Sequence, residues 1–119
     1  MPRPMIEPPP TDGTVRSALS GMPAVARVLP GYVAGLARDV GLLGRHLAQG
    51  RRPELRRVAH QLRGSGGAYG FPDVTRLATA VDGGTPLPAL AADVAALADL
   101  IRRIDGYDPA GEADPAAAA

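Results

Sequence analysis

The chain has no cysteine, no tryptophan and a single phenylalanine among 119 residues. Without cysteine, disulfides and thiolate metal sites are excluded. Aromatics reach only 3% while hydrophobic residues make up 45%. The core must then be built from Leu, Val and Ala, which suits close-packed helices better than sheets. Charge of one sign is also scarce: the formal net charge is +1, too small to imply a polyanionic partner by itself. No apolar run approaches the roughly 20 residues of a membrane span. The N-terminal stretch MPRPMIEPPP lacks the apolar core of a secretory signal. The expected location is the cytoplasm, with neither membrane nor nucleic acid as a partner.

What is present is helical spacing between two biased ends. Residues 1–13 carry five prolines and read as a disordered arm. Residues 108–119, DPAGEADPAAAA, read as a disordered tail. The folded unit expected is residues 14–107. Val33, Leu36, Val40, Leu43 and Leu47 repeat at i, i+3, i+4, with Gly50 as a stop. Upstream, Pro23 opens a short helix with Val25, Val28 and Leu29, which Pro30-Gly31 is expected to kink or break. Pro53 and Glu54 suit the first turn of the next helix, RRPELRRVAHQL. FPDVTRLATAVDGG predicts a helix from Pro72 to Gly83-Gly84. The last helix has Leu90, Val94, Leu97, Ile101 and Ile104 as its seam, with Arg102 and Arg103 near its negative end and Gly106 as a stop. No segment alternates as a strand. The expected fold is all-α: an antiparallel four-helix bundle with an additional short N-terminal helix.

His60 is one of two histidines, and Gly64, Gly66, Gly67 and Gly70 follow it closely. At about 100° per residue from Leu55, the residues Val58, Ala59, Leu62, Gly66 and Tyr69 share the core face. His60 falls at about 140°, Arg56 at about 100°, Arg63 at about 80°, Gly67 at about 120° and Gly64 at about 180°. His60 therefore faces outward. Three helical glycines cost around 3 kcal/mol together. Gly66 faces the core and lets a neighbouring helix approach. Gly64 and Gly67 leave a bare surface on which another protein can reach the imidazole. The alternative is that GSGG is a flexible loop and His60 merely ends a helix.

The stretch AHQLRGSGGAYGF resembles the signature of histidine-containing phosphotransfer (HPt) domains, Ala-His-x-Leu-Lys-Gly-Ser/Ala-x-x-x-x-Gly. Ala59, His60, Leu62, Gly64, Ser65 and Gly70 carry the match. The resemblance implies that His60 accepts a phosphoryl group from, or donates one to, the aspartate of a response-regulator receiver domain; some members are loaded by a sensor histidine kinase. It implies that Arg63 helps hold the phosphoryl group and that Gly64 gives the receiver clearance. It places Asp82 at the acidic or amide position near the imidazole. Arg63 stands for the usual lysine, keeping the charge on a planar group. Asp82 is shorter than the usual Glu or Gln, which leaves its reach to His60 open.

An ordinary imidazole is mostly neutral near pH 7 and can act as a nucleophile. The resemblance implies that the partner supplies catalysis, its divalent metal and its acidic pocket, so the chain itself is expected to be a phosphocarrier and not an enzyme, with no cofactor and no metal of its own. Residues 51–63 hold five arginines against one glutamate. Arg56 is assigned with Arg63 to the phosphoryl group, and Arg57, Gly64, Gly67 and Asp82 to docking of the partner. Arg51 and Arg52 read equally as a solvated face, and His46 as a plain surface histidine. No nucleophile–base pair marks a hydrolase, no ligand spacing marks a metal site, and almost no aromatics are present to stack on nucleic-acid bases. The remaining rival is an HPt-like module that docks a receiver or kinase without carrying phosphate. A monomer is the expected state.

Overall fold

A computed structural model describes residues 13–84 and 86–113. It contains four helices: α1 (Pro23–Ala48), α2 (Arg52–Ala68), α3 (Pro72–Asp82) and α4 (Leu87–Arg102). None has a side-chain N-cap; each instead carries a proline at its first or second position. There the missing N–H is one the helix would leave unpaired anyway, and the fixed φ already suits the turn. A glycine with positive φ lies beyond every helix, at Gly50, Gly70, Gly84 and Gly106, where a side chain would be strained. Each helix therefore has a local start and a local stop.

α1 packs against α2 and α4, and α3 packs against the same two, so the four close into a bundle. Short connections make successive helices antiparallel neighbours. Leu36 and Leu43 from α1, Leu55 and Leu62 from α2, Val74 and Val81 from α3, and Leu97 and Ile101 from α4 are fully buried. The periodic positions expected at the core are there, with Leu47 partly buried against it.

The separate N-terminal helix is a correction. The segment from Pro23 is continuous with α1, and Pro30 lies inside it. Proline withholds one helical hydrogen bond, from the carbonyl four residues earlier. Ala26, which supplies that carbonyl, is exposed, so water can satisfy it and the helix runs on.

The tail is also ordered further than its composition predicts. Pro109–Ala113 forms a short 3-10 helix packed along α1. The Glu112 carbonyl rests against Gly41, and Gly111 against Ala37, where added Cβ atoms would collide. The Glu112 carboxylate accepts two hydrogen bonds from Arg102, at 2.9 and 3.0 Å, and one from the Tyr107 hydroxyl at 2.7 Å. Arg45 donates to the Glu112 carbonyl at 3.0 Å. At the other end, Val15 forms a parallel bridge with Ile104, and Ala18 N–H donates to the Gly70 carbonyl at 2.8 Å. Apart from Gly13, the expected arm lies outside the described residues, as do residues 114–119. Among the described residues, no helix is long and apolar enough to cross a membrane.

Candidate functional site

α2 and α3 build the site between them. α2 turns its Leu55, Val58, Ala59 and Leu62 face inward, which leaves His60 outward with its side chain 72% exposed. α3 ends at Asp82, directly beside it. His60 Nδ1 lies 3.1 Å from Asp82 Oδ2. Arg63 Nη1 donates to the same oxygen at 3.2 Å. Arg56 Nε donates to the Asp82 carbonyl at 3.1 Å and stands 3.9 Å from Oδ1. The reach that the sequence left open for Asp82 is thus made.

The hydrogen bond from His60 does most to hold the Asp82 carboxyl below its ordinary range; the Arg63 hydrogen bond and the charge of Arg56 add to it, against the opposing effect of burial. An ionised carboxylate only accepts hydrogen bonds. The proton in the His60–Asp82 contact therefore belongs to Nδ1. In the neutral imidazole the lone pair is then on Nε2, the nitrogen away from Asp82.

Beside His60 lies a cavity of about 530 Å³ with an apolar floor, including Leu55, Val81 and Leu90, and a rim of Arg52, Arg56 and Arg57. Arg57 reaches this rim without a hydrogen bond or ion pair to any described residue. Among the described residues no group of three or more His, Asp or Glu side chains could hold a metal ion. His46 is not a plain surface residue: its Nδ1 is buried without a partner, and burial lowers its pKa.

The glycines separate into two kinds. All of Gly64, Gly66 and Gly67 are helical, which removes the loop alternative. A Cβ on Gly64 would meet nothing within 4 Å. A Cβ on Gly66 would lie 2.8 Å from Thr75 Oγ1 and 2.9 Å from Thr75 N, so this glycine admits α3. Gly67 lies on the exposed face with Gly64, and a Cβ there would make only an ordinary 3.6 Å contact with Thr75 Oγ1. Its N–H donates to Thr75 Oγ1 at 2.8 Å, and that hydroxyl donates onward to the Arg63 carbonyl at 2.8 Å. A regular helix pairs these two backbone groups directly; here the threonine of α3 bridges them.

Thr75 was not legible as a site residue, because a lone threonine on a helix carries no spacing signal. It nevertheless fixes the turn that presents Arg63. Replacing it by valine removes two hydrogen bonds at about 0.5–1.5 kcal/mol each. Thr75→Val is expected to lower stability by about 1–3 kcal/mol, read by denaturant titration, while Thr75→Ser keeps most of it.

The four-helix bundle thus presents an accessible histidine held by a carboxylate, which two guanidinium groups bind in turn. The family model of the Hpt domain matches residues 27–107, and the chain belongs to that family. Hpt domains are helical bundles that serve phosphotransfer in two-component signalling, alongside receiver domains and kinases. No curated protein and no solved structure matches the chain.

Proposed function

We propose that this chain carries a phosphoryl group on His60 Nε2, exchanging it with the aspartate of a response-regulator receiver domain or receiving it from a sensor histidine kinase. The observation that carries this reading is the His60–Asp82 contact on an exposed helical face. It leaves the nucleophilic lone pair directed away from the protein, where a partner's phosphoryl group can approach.

The transfer balances without further reagents. The Nε2 lone pair attacks phosphorus in an aspartyl phosphate, and the P–O bond to the aspartyl carboxyl breaks. That electron pair leaves on the partner's carboxylate. The Nδ1 proton stays, so the product is a phosphoimidazolium whose positive ring faces Asp82. A protonated ring leaves again as neutral imidazole, which makes the reverse transfer accessible. Arg63 and Arg56 lie within reach of the site to offset the charge of the phosphoryl group. Gly64 leaves room for the partner's surface.

The test is incubation with phosphorylated receiver domains, following acid-labile label on the chain. Asp82→Asn probes the role of the carboxylate. An amide can donate to Nδ1 and so favour the tautomer with its proton on Nε2, which is not nucleophilic. A charge-assisted hydrogen bond contributes roughly 1.5–3 kcal/mol, and partial exposure reduces this. Transfer to Asp82→Asn is expected to slow by about tenfold with the helical content unchanged. Equal rates would remove Asp82 from the reaction. The pH dependence has a definite sign. Asp82 has a depressed pKa, so its support for the Nδ1 proton is present above the ordinary carboxylate pKa and is lost as pH falls through the depressed value.

A further inference from the structure

A second cleft lies between α1 and α2, away from His60. Its volume is about 560 Å³, and Tyr32, Gly35, Arg38, Asp39, Gln61 and Ser65 are among its walls. Gln61 and Ser65 sit about 100° and 140° around α2 from His60, so both sites can be occupied at once. The back wall is firmly built. The Tyr32 and Ser65 hydroxyls share a hydrogen bond of 2.9 Å across the two helices. The Tyr32 ring stacks on Tyr69 with centroids 4.0 Å apart and 6° between planes, and Phe71 lies behind at 6.1 Å.

Two features of this cleft have no use in the fold. Asp39 is half-buried at its wall and makes no hydrogen bond or ion pair with any described residue. Burial pushes its carboxyl up to about 6, with Arg38 pulling the other way. The other feature is the pair Gly31 and Gly35, both inside α1, where glycine weakens a helix. Added Cβ atoms there would meet nothing within 4 Å. Unlike Gly66, these glycines admit no neighbouring element; they keep the floor of the cleft open.

We propose that this cleft is a second binding site, taking a guanidinium or alkylammonium group that pairs with Asp39 and lies against the Tyr69 ring. A half-buried carboxylate without a partner is costly unless a cation meets it, and an aromatic wall favours the same charge. The volume is that of a small-ligand site. The cation can be a free amine or a basic side chain of another protein, and the experiment separates the two.

The isotope-labelled chain is titrated with agmatine and, separately, with a capped Gly-Arg-Gly peptide, at fixed ionic strength and pH 7.5. Saturable shifts of the Tyr32, Gly35, Gln61 and Ser65 amides are expected. Asp39→Asn should weaken binding at least about tenfold, and it removes no contact on which the fold depends. At pH 5 only about one Asp39 in ten is ionised given its pKa of about 6, so affinity should fall about tenfold. The other titratable or charged groups facing the carboxyl are Arg38 and Tyr32 on α1 and Tyr69 at the C-cap of α2, so no second carboxylate and no histidine lines the cleft. Binding of agmatine as tightly as the peptide assigns the site to a small amine; binding of the peptide alone assigns it to a protein partner. Absence of saturable shifts with both, shifts centred on Asp82, or unchanged affinity in Asp39→Asn overturns the proposal.

Discussion

His60→Gln is expected to abolish phosphoryl labelling by a phosphorylated receiver domain, while His46→Gln labels as the native chain does. The difference follows from where the two rings lie. His60 is outward, with Nδ1 on Asp82 and no hydrogen bond from Nε2 to any described residue. His46 is partly buried, with Nδ1 enclosed and unpaired. Glutamine keeps a polar side chain on the exposed face but offers no nucleophilic nitrogen. The loss at an exposed position should stay within about 0.5 kcal/mol, a shift of a few degrees at most in the melting temperature. Label that persists in His60→Gln would show that the phosphoryl group sits elsewhere. Loss of label together with loss of helical signal would mean that the ring is structural.

The glycines supply the second large effect, and it has opposite signs two residues apart. Gly66→Ala would set a Cβ 2.8 Å from Thr75 Oγ1, 2.9 Å from Thr75 N and 3.0 Å from Val74 Cβ. All three belong to α3, and two of them are a backbone nitrogen and a Cβ, so the helix itself must shift. Overpacking of this kind costs about 1–3 kcal/mol, which outweighs the gain of up to ~1 kcal/mol from helix propensity. Gly64→Ala meets open space and keeps that gain, so its melting temperature should rise. Gly64→Gln should also melt higher but exchange phosphate with a receiver more slowly, since a long side chain then stands one turn from His60. Thermal melts and receiver transfer rates on the same three variants check this. A Gly66→Ala chain as stable as the native one would remove α3 packing as the reason for that glycine. Unimpaired transfer in Gly64→Gln would remove access as the reason for the other.

Much of the fold was legible because its signals are local. Proline at each helix start and glycine beyond each end act within one turn. The seam of Leu90, Val94, Leu97 and Ile101 is periodic enough to place α4 without its neighbours. Pro30 misled for the same reason, since a local rule takes no account of the exposure that lets one lost hydrogen bond go to water. The ordered segment at Pro109–Ala113 was hidden in a composition of Ala, Gly and Pro. What holds it comes from afar in the chain, through Gly41, Arg45 and Arg102 meeting Glu112.

The candidate site divides in the same way. The outward placement of His60, Arg56 and Arg63 follows from the helical period alone. The meeting with Asp82 does not, because it depends on how closely α3 approaches α2. Gly66 permits that close approach nearly two turns from His60, and a side chain as short as aspartate then suffices. Thr75 completes the arrangement from a position that no periodicity marks. The cleft at Asp39 was illegible too: a single carboxylate in a helical pattern looks like any solvated charge until the opposing helix is in place.

The segment around Glu112 clasps the bundle from outside its core. It lies along Ala37, Gly41 and Arg45 of α1 and ties itself to Arg102 of α4. His60 and Asp82 stand on α2 and α3 instead. The segment thus works as a clasp across α1 and α4, so a change at Glu112 acts on that pair of helices rather than directly on the His60–Asp82 contact of α2 and α3.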